Sequence, residues 1–337
     1  MREKRFGKVL VTGGAGYVGA VLSPILLAAG YELVIFDTLY FGTSGIPDDP
    51  RVTAVKGDLR DTAAFAEAVK GCDAVIHLAC ISNDPSFILN SDLSKSINFD
   101  CFEPMVVAAK EAGVKRFIYA STSSVYGVSE EPEVREDHPL LPITDYNKYK
   151  GLCEPLLFKH QSDDFVCVTI RPATVCGYSA RMRLDLSVNI LTAHAIENRK
   201  IRVFGGVQER PNIHVADVCD LYQMLLELPD QMIAGETFNA GYQNMSIANL
   251  ANIVKKVVEE EYPEKAPIEI ATEPTDDIRS YRINSDKIRE KLGFVPKRTL
   301  EDAVREVCQA FKDGRLPDPM TNEVYYNVKT MQALEVS

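Results

Sequence analysis

Several features are missing from this chain, and each absence removes a class of function. Its eight cysteines form no Cys-x-x-Cys pair, so neither a zinc site nor a thioredoxin-like redox centre is indicated, and no metal is expected. Basic residues are not in excess: 37 Lys and Arg stand against 48 Asp and Glu, for a net charge of −11. That argues against nucleic acid and anionic membrane surfaces, while leaving room for a local group of cations around an anionic ligand. No apolar run approaches the roughly 20 residues of a membrane span. The opening residues Met1 to Phe6 lack the apolar stretch of a secretion signal. Unpatterned thiols suit a reducing compartment, so a cytoplasmic, membrane-free protein is expected. Neither an internal repeat nor a low-complexity segment is evident. What is present is an ordinary globular mix, 46% hydrophobic and 25% charged over 337 residues. That length holds one large α/β domain and a smaller one.

The stretch from Lys8 to Asp37 carries the strongest signal. Lys8 to Thr12 is a short apolar run and reads as a buried strand. Gly13-Gly-Ala-Gly16-Tyr17-Val18-Gly19 follows, and Val18 to Ala29 is apolar at helical spacing, stopped by Gly30. Leu33 to Phe36 is a second strand, closed by Asp37. Each part suits a dinucleotide. Gly13 permits a tight turn, Gly16 a close approach to a pyrophosphate, and Gly19 close packing of helix on strand. The helix N-terminus presents N–H groups to the phosphates. Asp37, 18 residues after Gly19, stands where a carboxylate accepts hydrogen bonds from the adenosine ribose. It would repel a 2′-phosphate, which favours NAD over NADP.

Further strands are expected at 51–55, 74–78, 115–120 and 165–170, alternating with helices. This rhythm implies a doubly wound parallel sheet of the Rossmann type. Ligands then bind beyond the carboxyl ends of the strands. Asp58 and Leu59 sit where an adenine is cradled, with a plain turn as the competing explanation for Asp58. His77 reads as a packed histidine. Leu78, Ala79 and Cys80 end the fourth strand, and Pro172 follows the sixth. Residues 92–112 read as a long helix containing Asn98 and interrupted by Pro104; a helix from Asp145 is interrupted by Pro155. After residue 172 the rhythm changes to a smaller α/β lobe. Residues 175–187 read as loop, and the tail after Lys312 shows no clear element. The expected division is 1–174 with roughly 212–240 for the NAD-binding domain. The remainder, 175–211 and 241–337, forms the second lobe.

Tyr146 and Lys150 are four residues apart and share a helix face. An ammonium and a nicotinamide cation both favour phenolate, so Tyr146 is expected to titrate low and act as a general base for an alcohol. Lys150 also suits the nicotinamide ribose. Thr122, in the hydroxyl cluster Ser121-Thr122-Ser123-Ser124 at a strand end, offers a hydroxyl to the same oxygen.

Together these residues resemble the extended short-chain dehydrogenase/reductases, in the NAD-dependent nucleotide-sugar epimerase/dehydratase branch. The likeness rests on the glycine turn, Asp37, Gly57-Asp58-Leu59, His77-Leu-Ala79, Asn98, the 121–127 segment, Tyr146-x-x-x-Lys150, Arg171-Pro172, Ile213-His-Val-x-Asp217-Val and Asp277-x-Arg279-x-Tyr281. It implies hydride transfer at C4 of a nucleotide-diphosphate sugar with NAD as cofactor. Tyr146 would be the base, Lys150 its partner and Thr122 the hydrogen-bonding hydroxyl. Asn98 would be structural or a relay, and Arg210 and Arg279 would grip the nucleotide diphosphate or its ribose. Dehydratases of the family place an Asp-Glu pair where this chain has Ser123 and Ser124, which leaves a 4-epimerase as the expected activity. The alternatives are a 4-dehydrogenase that releases the 4-keto sugar and a non-catalytic NAD-binding regulator. The stretch from Thr174 through Arg181 and Arg183 to Asn189 resembles a subgroup that includes GDP-heptose 4-dehydrogenases. It adds Thr174, Arg181, Arg183 and Asn189 to Thr122, Ser123, Arg210 and Arg279 as substrate contacts, with pairing of the arginines to Asp185 as the competing explanation. The family typically dimerises through the helices near 92–112 and 145–160, so a homodimer is expected.

Overall fold

The computed structural model describes residues 5–276 and 280–334. Strand β1 (Lys8–Thr12) turns through the glycines into α1 (Gly19–Ala28). Next come β2 (Glu32–Asp37), β3 (Val52–Lys56), α2 (Thr62–Ala68) capped by Asp61, and β4 (Ala74–His77). Short helices α3 (Asp84–Phe87) and α4 (Ser91–Lys95) lead through a π turn at Ser96–Asp100 into α5 (Phe102–Glu111). Then follow β5 (Arg116–Ala120), a 3₁₀ turn at Ser123–Tyr126, α6 (Asp145–Phe158), β6 (Val166–Pro172) and β7 (Thr174–Cys176). The rest comprises α7 (Ser187–Asn198), β8 (Lys200–Phe204), β9 (Glu209–His214), α8 (Val215–Glu227), α9 (Asp230–Ile233), β10 (Glu236–Ala240), β11 (Gln243–Ser246), α10 (Ile247–Glu261), β12 (Glu269–Glu273), α11 (Asp286–Leu292), α12 (Leu300–Lys312) and α13 (Asn327–Ala333).

Seven parallel strands form the central sheet in the order β10-β6-β5-β4-β1-β2-β3. The order reverses between β1 and β4, where doubly wound sheets open a crevice at their carboxyl edge. The inner strands are buried on both faces, as their mainly apolar sequences require. β7, β9 and β11 form a second small sheet, and β8 pairs with β12. Among the described residues no helix is long and apolar enough to cross a membrane. None of their His, Cys, Asp and Glu side chains cluster in threes to hold a metal ion.

Three differences from the sequence expectation have physical causes. Pro104 falls in the first turn of α5, just after the π turn, where an amide needs no helical partner. α6 runs through Pro155 without ending; the proline forgoes a single amide bond, that to the Gly151 carbonyl, and the rest of the helix is kept. The tail, expected to be featureless, contains α13. That helix buries Asn327, Thr330 and Met331, so its inward face is mostly polar and gives no hydrophobic period to read.

Candidate active site

The glycine turn is held against the ends of its neighbours. Gly13 has φ +68°, and a Cβ there would lie 2.7 Å from the Ala79 Cα. A Cβ on Gly19 would meet the Gly14 carbonyl oxygen at 2.4 Å. Both positions therefore require glycine. Gly16 bonds back to Gly13 O, and Val18 precedes α1 without a capping side chain. The Tyr17 hydroxyl donates to the Gly177 carbonyl at 2.7 Å, and Ser179 Oγ donates to the Tyr17 carbonyl at 2.8 Å. The turn is thus tied to the loop after β7. Asp37, at the end of β2, accepts from Leu39 N at 2.8 Å and Ala15 N at 3.1 Å. Burial raises its pKa, with those two amides and Arg181 pulling the other way.

Leu78, Ala79 and Cys80 leave β4 half-buried beside this turn. The π turn aims Asn98 at the same loop: its Oδ1 accepts from Ile81 N at 2.8 Å and its Nδ2 donates to Ile81 O at 2.9 Å. Both ends of the amide are used on the chain, so Asn98 shapes the loop rather than offering a free group. His77 is packed, as read: Nδ1 meets Thr12 Oγ1 at 2.7 Å and its ring stacks on Tyr119. Burial, then Lys150, drives its pKa well below the ordinary value.

At the end of β5, Thr122 Oγ1 lies 2.8 Å from Ser124 Oγ, which donates to Asn147 Oδ1 at 2.5 Å. Since the Ser124 proton goes to Asn147, the Thr122 hydroxyl donates to Ser124. Its oxygen accepts from Ser124 N at 3.2 Å, capping the 3₁₀ turn. Tyr146 and Lys150 project from α6. The Lys150 Nζ donates to the Ala120 carbonyl and lies 4.5 Å from the centre of the Tyr119 ring. The expected low-titrating phenol calls for a nicotinamide cation beside Lys150, and the protein by itself holds the phenol the other way. Burial, then Cys80 and Asp84, hold Tyr146 well above its ordinary pKa, and Arg183 only partly offsets them. Desolvation outweighs the charges that the protein itself supplies.

α6 is anchored from behind. Arg171 grips Glu154 with Nε at 3.0 Å and Nη2 at 2.7 Å, and Ser121 Oγ donates to Glu154 at 2.6 Å. Arg171 Nη1 also donates to the Tyr126 hydroxyl at 2.7 Å, and Tyr126 donates to Asn239 Oδ1. This network joins β6, α6, the 3₁₀ turn and β10.

Several expected contacts turn out to do internal work. Leu59 is buried in the core with Phe36 and Phe65, so its side chain is closed to an adenine. Asp58 accepts from the amide and guanidinium of Arg60 at 2.7–3.1 Å, as a turn-former does. The hydroxyl of buried Ser123 pairs with Tyr281 at 3.1 Å. Asn189 is fully buried and satisfies Gly177 N, Tyr17 Oη and Arg183 O. It latches the loop instead of facing a ligand. Arg183 forks onto Asp185 at 2.9 and 3.1 Å and reaches Ser82. Thr174 and Pro172 are half-buried at the strand ends, and Arg210 is half-buried on β9, where Nη1 donates to Glu209 O. Arg279 lies outside the described residues. Arg181 is buried over Phe41.

Sequence reasoning missed Ser82, Asn83, Asp84, Asn147 and Asn327. Asn83, at φ +73°, caps α3 and lies 3.5 Å from Asp185. Asn83-Asp84-Pro85 is a turn-and-cap signature that was there to be read. Asn327 bonds Asp185, Ser82 and Arg181 from the tail, a long-range placement with no local signal.

The crevice suits a dinucleotide: a turn closed to any Cβ, an acidic strand end, and a buried guanidinium with two unbonded nitrogens, Nε and Nη1 of Arg181. Residues 9–241 match the model of the NAD dependent epimerase/dehydratase family. The chain is 27% identical over 319 residues to a UDP-glucose 4-epimerase of Lactobacillus helveticus, covering 88% of this chain and 94% of that one. It is 28% identical over 338 residues to a dTDP-D-glucose 4,6-dehydratase of Mus musculus, covering 92% of each. Its fold matches that of a Thermus thermophilus UDP-glucose 4-epimerase solved with NAD, with TM-score 0.79, 24% identity, and 90% and 99% of the two chains covered.

Proposed function

This chain belongs to the NAD dependent epimerase/dehydratase family of enzymes, and we propose that within it the chain is a nucleotide-sugar 4-epimerase. The observation that carries this reading is the neighbourhood of Thr122. The two positions after it hold serines engaged with Tyr281 and Asn147, where a dehydratase needs carboxyl groups to remove water. Thr122, Tyr146 and Lys150 remain, a set that moves a proton at an alcohol and nothing more.

NAD, when bound, takes up a hydride from the sugar C4 and gives it back. The glycine turn, α1 N-terminus and Asp37 would hold its adenosine and diphosphate; Ala79, Cys80 and Lys150 would face its other end. In the proposed sequence Tyr146 takes the C4 hydroxyl proton. Thr122, by turning its hydroxyl proton from Ser124 to the same C4 oxygen, donates to that oxygen and orients it. Tyr146 is a protonated phenol in the protein alone, so it becomes a base only when added positive charge offsets its burial. Proton uptake is thereby coupled to an occupied site. Tyr146 then returns the proton to the C4 oxygen after the ketone has turned its other face.

We assign the central sheet and its helices, 1–174 with 212–240, to the cofactor and 175–211 with 241–337 to the nucleotide sugar; sheet membership supports the division. A homodimer through α5 and α6 is also proposed, supported by Leu152, which is 42% exposed on α6; light scattering tests it.

The test is mass spectrometry of UDP-, GDP-, dTDP- and CDP-sugars in heavy water, each with and without 2-oxoglutarate. Unchanged mass with a new chromatographic peak supports the epimerase. Acceptor-dependent loss of two hydrogens would reassign the chain as a 4-dehydrogenase, and loss of water with deuterium gained as a dehydratase. Retained NAD with no conversion of any sugar would point to a regulator.

A further inference from the structure

Arg181 is an anomaly in charge and in hydrogen bonding. It is 3% exposed, and Nη2 donates to Asn327 Oδ1 at 2.6 Å, while Nε and Nη1 have no partner. No carboxylate among the described residues lies within ion-pair reach of it. Its neighbour Arg183 is already matched by Asp185. Burial, then Arg183, pushes the Arg181 pKa down to about 9, against the opposing pull of Asp185 and Asp37. A buried guanidinium in this state is tolerated when a ligand supplies the missing charge.

Its position names the ligand. Its guanidinium carbon sits 3.9 Å over the Phe41 ring, in the loop that follows β2 and Asp37. Two residues before it, Ser179 is bonded to the backbone of Tyr17 in the glycine turn. Asp37 and Tyr17 are among the groups whose field it feels, whereas Tyr146 feels Arg183. Arg181 therefore stands beside the dinucleotide turn. The tail fixes it there. Asn327 holds Arg181, Ser82 and Asp185 together, and Met331 packs with Ile81 and Leu93 against Phe41.

We propose that Arg181 is a ligand of the cofactor's diphosphate, held in place across the crevice by the C-terminal helix. A sugar nucleotide also carries a diphosphate, so the test separates the two sources. Full-length enzyme loaded with isotope-labelled NAD is titrated with adenosine or with ADP, and binding of UDP and GDP is measured separately, for wild type, Arg181→Met and Arg181→Lys. In wild type, ADP should displace NAD far better than adenosine does. In Arg181→Met that advantage should shrink roughly tenfold to a hundredfold, with adenosine unchanged; Arg181→Lys should restore part of it, as a retained point charge does. An unchanged ADP-to-adenosine ratio overturns the proposal. A loss confined to UDP or GDP overturns it in favour of the sugar nucleotide. Where Arg181→Met does not fold, the wild-type Arg181 Nε–H resonance, identified by its disappearance in Arg181→Lys, decides: it should move with ADP and stay with adenosine, and no movement with ADP refutes the clamp.

Discussion

Glu154 and Arg171 form a bidentate pair whose side chains are only 5% and 6% exposed. Replacing one member with an apolar residue strands the other charge in the interior. Glu154→Leu or Arg171→Met should each cost about 3–5 kcal/mol. The double variant removes both charges. What it leaves unsatisfied is Ser121 Oγ, the Glu136 carbonyl and one bond to Tyr126, at about 1 kcal/mol each. The double should therefore lose about 3 kcal/mol, against about 8 for the summed singles, a coupling of about 5 kcal/mol. At roughly 2 °C per kcal/mol for a chain of this size, each single lowers the melting temperature by about 8 °C and the double by about 6 °C. Circular dichroism melts of the four proteins close the cycle. Turnover should fall with stability in both singles, because α6 carries Tyr146 and Lys150. A double variant that melts about 16 °C below wild type, at the additive sum, would refute the reasoning.

Three further outcomes follow from the geometry around the crevice. Asp84 helps to raise the Tyr146 pKa, so Asp84→Asn should move the acidic limb of the kcat/KM profile to lower pH; an unmoved limb would separate Tyr146 from that limb. Burial raises Asp37, so the fold prefers its neutral acid, and that contribution to stability is present at low pH and lost as pH rises through the folded value. NAD affinity runs the other way, since the ribose needs the carboxylate: it should weaken on acidification above the ordinary Asp range of about 3.9, and in Asp37→Asn this pH dependence should vanish from calorimetric titrations. His77 is pushed well below its ordinary pKa, so its ring resonances should stay fixed from pH 8 to pH 5 and its neutrality should cost stability as pH falls below about 6.5; a ring that titrates near that value would show it is not packed as described.

The cofactor half of the molecule was legible because its signals are local. Strand, glycine turn, helix and Asp37 occupy 30 consecutive residues, Lys8 to Asp37, and each obeys its own period. The second lobe was not, because β7, β9 and β11 are only three to six residues long and mix polar with apolar positions. The site was legible as a set of residue types and not as a set of bonds. Ser123, Asn98 and Asn189 belong to the right neighbourhood, but their partners at Tyr281, Ile81 and Gly177 depend on tertiary packing. The surroundings of Tyr146 were half legible, because the sequence shows the neighbouring ammonium and hides the burial. Nothing near Asn327 marks it as a partner of Arg181, 146 residues away.

Of the eight thiols, seven are buried and Cys80 alone is half-exposed, at the end of β4 beside Tyr146. The wild-type enzyme thus carries a single accessible labelling position inside its own crevice. Alkylation by a small maleimide, followed as peptide mass, becomes an occupancy gauge that needs no engineered cysteine and no turnover. Cofactor and sugar nucleotide can each be scored by how far they slow the reaction at that one sulfur, including for sugars that bind and are not converted.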